Sequence, residues 1–416
     1  MTIKKYFKKI TVLALFLFHL SALAAAQTTN LPAPREEKLL NGMKLLVWSD
    51  QKAAKTSVRL RIHSGSAFDP QAREGVMALL GDILFPNQTS QEYFAEDLGG
   101  SLEVTSNYDY IQISATGDND KILEMLEAIA QAITISQIDK ETTAKVKTAR
   151  LEKLKELEKD PAYLADRAVA RQLFGNYPYG RPQLGTTESV SKIDFADMLL
   201  ARQKFLTADN ATLAISGNVK FDLVFRAVRR YFGGWTKADK KVPATFTQPA
   251  APAEKPLLIN SPSVENEEVL MAFHGFARND KDFYAARILT KILANRPKTS
   301  PGDFVKSESY LLDGIFFISG KPVPSSIDKN ASKNQFTQEE FEKAKAEMLV
   351  EVNQKNLSDW WLDVDTYKLT SVKDELQKAN NIKFEDARQA FDKLQTQPKV
   401  VVIFSKTAAN TSTKTN

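Results

Sequence analysis

Two hydrophobic periods run through the chain. Alternation with a period of two marks strands: Met43, Leu45 and Val47; then Val58, Leu60 and Ile62 within 56–63; then Leu102, Val104, Tyr110, Ile111 and Ile113 within 102–116. Further strands are predicted at 211–216, 269–274, 314–320 and 400–404, where apolar residues run almost without interruption. A helical period appears at 121–133, where Ile122, Met125, Leu126, Ile129 and Ile133 share one face. Helices are also predicted at 74–85, 139–158, 163–174, 191–205, 222–232, 282–294, 337–356, 358–377 and 382–394. Punctuation agrees with these elements. Asn41-Gly42 predicts a type I′ hairpin turn, Asp160-Pro161 stops a helix, and Thr337 with Glu340 predicts a capping box.

The pattern breaks once and then restarts. Residues 236–256 are rich in Lys, Pro and Ala with no apolar period, as a linker would be. The segments on either side echo each other. LRIHSG at 60–65 and MAFHG at 271–275 each precede a helix, and ATLAIS at 211–216 has a counterpart in VVVIFS at 400–405. The expected class is α+β, with two related domains at 33–235 and 257–406. Each would be a mostly antiparallel sheet with helices packed on one face. Residues 407–416 read as a disordered tail.

Charge and composition change the picture at the N-terminus. Residues 1–26 hold Lys4, Lys5, Lys8 and Lys9, then an apolar run to Leu23, then Ala24-Ala25-Ala26. That is the form of a cleavable signal peptide, and the expected destination is the periplasm. Without those four lysines the formal charge of +5 falls to 52 basic against 51 acidic residues, which argues against a nucleic-acid partner. There is no Cys, so neither disulfides nor thiolate metal sites exist.

Candidate chemistry centres on 74–85, EGVMALLGDILF, a short amphipathic helix behind a strand. The chain has three His: His19 in the signal segment, and His63 and His274 at the ends of strands in different halves. No two His stand one helical turn apart, and both strand-end His read as ordinary structural residues. Paired acids such as Glu156 and Glu158, or Glu339 and Glu340, read as solvated helix faces.

Several short pieces, in order, give the chain a resemblance. They are Leu40-Asn41-Gly42-Met43, the loop 65–74 before Gly75, Leu98-Gly99-Gly100-Ser101-Leu102, Asp160-Pro161, Gly180-Arg181-Pro182 and Leu184-Gly185-Thr186. With these the chain resembles the M16 zinc metallopeptidases, the pitrilysin/insulinase and mitochondrial processing peptidase-like family. The resemblance implies the LuxS/MPP-like metallohydrolase fold. In that family a His-x-x-Glu-His helix supplies two zinc ligands and a general base, with a third ligand, a Glu, on a later helix. Aligned on Gly75 and Leu84-Phe85, the first His falls on Ala78, the Glu on Gly81 and the second His on Asp82. The third ligand falls on or near Lys153, with Glu152 about 100° away around the helix. The expectation is therefore no catalytic residue, no metal ligand and no cofactor, in a family where zinc is usual.

The resemblance also implies what remains. Substrate would add as an extended strand beside Leu102, Glu103, Val104 and Thr105, through backbone pairing that does not depend on side chains. The family's substrate-holding Arg and Tyr have their nearest counterparts by type in Arg296 and Tyr310. The leading reading is a secreted, inactive subunit that forms a heterodimer with an active, zinc-bearing M16 peptidase and helps enclose peptides. Two alternatives stand beside it: a zinc-dependent endopeptidase with unusual ligands, and a stand-alone peptide-binding or scaffold protein.

Overall fold

The computed structural model describes residues 31–134, 138–238, 246, 256–260, 268–297, 304–320 and 336–405. Residues 1–26, expected to be a signal peptide, most of the 236–256 linker and the 407–416 tail lie outside the described residues.

The first sheet holds six strands: β1 (Arg35–Lys38), β2 (Lys44–Ser49), β3 (Thr56–Ile62), β4 (Ser101–Ser106), β5 (Ile111–Gly117) and β6 (Ala211–Gly217). Their order is β1-β2-β6-β3-β5-β4, antiparallel except for β2 against β6. The second sheet holds β7 (Leu257–Asn260), β8 (Glu268–His274), β9 (Val305–Glu308), β10 (Ile315–Gly320) and β11 (Lys399–Ser405), in the order β7-β11-β8-β10-β9. Only β7 against β11 is parallel there. Order and direction in β2-β6-β3-β5-β4 are thus repeated by β7-β11-β8-β10-β9. The two sequence echoes fall on equivalent strands, β3 with β8 and β6 with β11.

Helices of the first half are α1 (Val76–Asp82), α2 (Gln88–Glu96), α3 (Ile122–Thr134), α4 (Lys140–Leu157), α5 (Pro161–Phe174), α6 (Thr187–Ser191), α7 (Phe195–Phe205) and α8 (Phe221–Phe232). Those of the second half are α9 (Phe283–Ala294), α10 (Gln338–Gln354), α11 (Leu357–Tyr367), α12 (Val372–Asn381) and α13 (Phe384–Thr396). Val58, Leu60, Ile62, Leu213 and Ile215 bury one face of the first sheet against α3 and α8, through Met125, Ile129, Val224 and Val228. Met271, Phe273, Phe316 and Ile318 do the same in the second half against α9, α10 and α13.

The other face of each sheet is covered from across the molecule. Leu270, Ala272, Ile315, Phe317, Val400 and Val402 lie under Val169, Leu173 and Phe174 of α5, a first-half helix. In return α11, a second-half helix, sets Leu362 and Trp361 against Leu46, Trp48 and Ala214 of the first sheet. Trp48 and Trp361 meet edge to face at 5.2 Å. Fully burying one such aliphatic or aromatic side chain is worth about 1.5–3 kcal/mol. The seam between the halves is therefore held like a core.

Four local expectations need correction. The turn after β1 is closed by the Gly42 N–H donating to the Leu39 carbonyl, and Gly42 has φ +92° while Asn41 is not left-handed. That is a type I turn with a bulge glycine rather than a type I′ turn. The strand expected over 102–116 is a hairpin, because the Asn107 side chain accepts from the N–H groups of Asp109 and Tyr110 and turns the chain. The helix expected over 191–205 is two, restarted by the Asp194–Asp197 capping box. The helix expected over 358–377 breaks where Lys368 takes φ +56° and Ser371 caps the next helix. Strands β7 and β9, four residues each, are too short to show a period.

Candidate functional site

Helix α1 is positioned by the loop before it. Asp69 is buried and accepts from the N–H groups of Gly75 (2.7 Å) and Met77 (2.8 Å), which holds the helix N-terminus. Burial pushes the Asp69 carboxyl up to about 7, against those two hydrogen bonds and the nearby Arg181. Arg181 donates to the carbonyls of Asp69 (2.5 Å) and Ala67 (2.9 Å). Gly75 sits at φ +101°, where a Cβ would lie 2.9 Å from the Leu184 carbonyl oxygen. The loop 65–74 and the motifs at 180–186, read separately in the sequence, are therefore one packed unit.

On α1, Ala78 and Gly81 are buried and offer no donor atom. Gly81 faces β4: a Cβ there would lie 3.6 Å from Ser106 Cβ and 3.8 Å from Val104 Cγ1. Asp82, the next residue, faces α4. Its Oδ2 accepts from Arg150 Nε at 3.0 Å and from an Arg150 Nη at 2.5 Å. Burial pushes the Asp82 carboxyl up, with Arg150 and Lys153 pulling it down. Arg150 and Lys153 stand one turn apart on α4, so both cations flank the one carboxylate. Arg150 was not foreseen from the sequence, although its i−3 spacing from Lys153 marks the same helix face.

These residues do not fit a zinc ion. The only carboxylate on the helix is taken by a guanidinium, and the position expected for a third ligand carries an ammonium. Among the described residues no group of three or more His, Asp or Glu could hold a metal.

Strand β4 pairs with β5 along one edge. Among the described residues, no backbone hydrogen bond from the chain reaches the other edge at Leu102, Glu103, Val104 and Thr105. Gln183 donates to the Ser106 carbonyl at 2.5 Å and closes the strand's end. Beyond it lies a cavity of about 260 Å³ lined by Tyr108, Tyr163, Arg181, Gln183, Glu308 and Tyr310, among others. Tyr310 packs on Tyr108 (5.1 Å) and Tyr179 (4.7 Å), and its hydroxyl donates to Glu308. Arg296 is not brought there; it pairs with Glu340 of α10 at 3.3 Å.

Both strand-end histidines work at the seam. His63 has Thr366 Oγ1 of α11 at 2.9 Å from Nδ1 and Thr212 Oγ1 at 2.9 Å from Nε2. Burial, with Arg61, Lys368 and Lys44 nearby, pushes its pKa down to about 3. His274 reaches the Leu173 carbonyl of α5 at 3.1 Å and stacks on Phe174. Beside His63, Arg61 bonds Asp363 (2.7 Å) and Gln112 (2.7 Å) and stacks on Tyr110. Arg59 holds Asp359 at 2.8 Å.

Residues 44–187 match the insulinase family, peptidase family M16, and residues 192–348 match the peptidase M16 inactive domain. The chain belongs to the M16 family. Among its relatives, the probable mitochondrial-processing peptidase subunit beta of Arabidopsis thaliana is 22% identical over 65% of this chain and 52% of its own length. The non-peptidase homolog YmxG of Helicobacter pylori is 24% identical over 40% of this chain and 39% of its own length. The matched region thus spans about half or less of these relatives. Among solved structures, the peptidase M16 inactive domain from Pseudomonas fluorescens covers 91% of this chain and 99% of its own, at 20% identity and a TM-score of 0.78. That likeness establishes the M16 fold, two related α+β halves. The two M16 matches meet at 187–192, yet β6 beyond that point is an inner strand of the first sheet.

Proposed function

We propose that this chain is a non-catalytic M16 subunit. It holds peptides in extended form along β4 and pairs with a separate, zinc-bearing M16 peptidase. The carrying observation is the Asp82–Arg150 ion pair on α1 and α4. Hydrolysis in this family needs a metal-activated water and a carboxylate base. Ala78, Gly81, Asp82 and Lys153 supply neither, because the one carboxylate is committed to Arg150. The open edge of β4 supports peptide binding, since an added strand is held by backbone groups that survive loss of the catalytic side chains. Pairing is supported by the relative named as a peptidase subunit and by the one named a non-peptidase homolog. The basic and apolar character of residues 1–26 supports export to the periplasm, where such a pair would act.

The test is peptidase assay and zinc analysis on the purified chain, alone and mixed with an intact M16 homologue from the same host. The reading expects no zinc and no hydrolysis alone, and association in the mixture. One zinc per chain with hydrolysis by the chain alone would overturn it.

A further inference from the structure

We propose that the former catalytic centre is now a carboxylate-binding site, which takes the free C-terminus of a peptide laid along β4. This rests on the reading of β4 as a peptide-binding edge. Gly81 faces Val104 and Ser106 of β4 and Ile111 of β5, while Asp82, one residue on, faces Arg150, so one helix carries the charge cluster beside the edge strand. Asp82 neutralises one of the two cations on that face of α4. Arg150 directs Nε and one Nη to a single oxygen of Asp82, and its remaining Nη has no acceptor among the described residues. Lys153 is exposed and makes no hydrogen bond or ion pair among the described residues. The trio of Asp82, Arg150 and Lys153 keeps a net charge of +1 on the face where the family's metal would bring positive charge.

An interior peptide bond offers this site only a neutral carbonyl. A terminal carboxylate offers an anion that Lys153 and the spare Arg150 donor can both bond, and charge-assisted hydrogen bonds are about twice as strong as neutral ones. A Cβ at Gly81 would already be in ordinary contact with Ser106, Ile111 and Val104 at 3.6–3.8 Å, so α1 packs closely on the β4–β5 hairpin and holds the two cations next to β4. The occupant is therefore a peptide that ends at this point. Such a ligand is the product of a preceding cleavage, so the reaction class that supplies it is peptide-bond hydrolysis by another protein.

The experiment uses the full chain and a pool of fluorescent decapeptides of random sequence, made once as free acids and once as C-terminal amides. Anisotropy titrations should show the acids binding about tenfold more tightly than the amides, the ratio expected for one extra charge-assisted contact. In Lys153→Gln, an exposed change, the acids should weaken toward the amides while the amides are unmoved. Acids and amides binding equally would overturn the carboxylate site and leave peptide binding on β4 intact. Neither series binding would overturn both.

Discussion

His63 and His274 occupy equivalent positions at the ends of β3 and β8, and each bonds the helix that the opposite half contributes. His63 meets Thr366 of α11, and His274 meets the Leu173 carbonyl of α5. The internal repeat is thus interlocked: α5 covers the second sheet, α11 covers the first, and the strand-end imidazoles fasten both.

This makes stability depend on His63. In the fold it stays neutral down to about 3, whereas in an unfolded chain it protonates near its ordinary value of about 6.5. Its contribution is present above pH 6.5 and is lost as the pH falls from 6.5 toward 3. At pH 5 the loss should be about 2 kcal/mol. Urea denaturation at pH 7.5 and pH 5 should show that drop, and His63→Gln should show a smaller one.

Asp69 should give the opposite slope. Its folded value near 7 lies above the ordinary carboxylate value, so its ionisation opposes folding. The contribution is greatest below pH 4 and is lost as the pH rises through 7. Asp69→Asn should flatten the stability profile between those values. Asp69→Ala, which leaves two buried N–H groups without an acceptor, should cost about 1–3 kcal/mol at any pH in that range.

Arg61 should be the costliest single loss at the seam. It is 2% exposed and bonds Asp363 and Gln112, so Arg61→Met leaves Asp363 with Lys355 as its remaining cation and Gln112 without its donor, and should cost about 1.5–3 kcal/mol by denaturant unfolding. Asp363→Leu also takes the partner from Lys355, so the Arg61–Asp363 double-mutant cycle should be clearly non-additive.

Helix α1 keeps room for what it lacks. Gly81 is not left-handed, and a Cβ there meets only ordinary contacts. Gly81→Ala should therefore raise stability by about 0.5–1 kcal/mol. The combined variant Ala78→His, Gly81→Glu, Asp82→His and Lys153→Glu should bind one zinc per chain by metal analysis if α1 and α4 hold the family's spacing.

How far these features were legible in the sequence differs from residue to residue. Val58, Leu60 and Ile62 marked β3 and its core face. Arg59, Arg61 and His63, on the alternate positions, look like a solvated face, because charges are rarely buried without partners. Their partners Asp359, Asp363 and Thr366 lie about 300 residues away in sequence, at helical spacing on a helix whose own start was placed correctly. Nothing local joins the two sets. Likewise Ala78, Gly81 and Asp82 could be read as lost ligand positions, but the partner that fixes Asp82, Arg150, is a tertiary contact. The hairpin at 107–110 was hidden because Tyr110 and Ile111 continue the apolar pattern through a turn made by a side chain.

The most direct measurement is isolation of the C-terminally tagged chain from its native host, with zinc content and peptidase activity read on the same fractions. The account predicts a zinc-bearing M16 homologue in the same fractions, with zinc and activity following that homologue. A chain that elutes alone, carries its own zinc and cleaves peptides would contradict it.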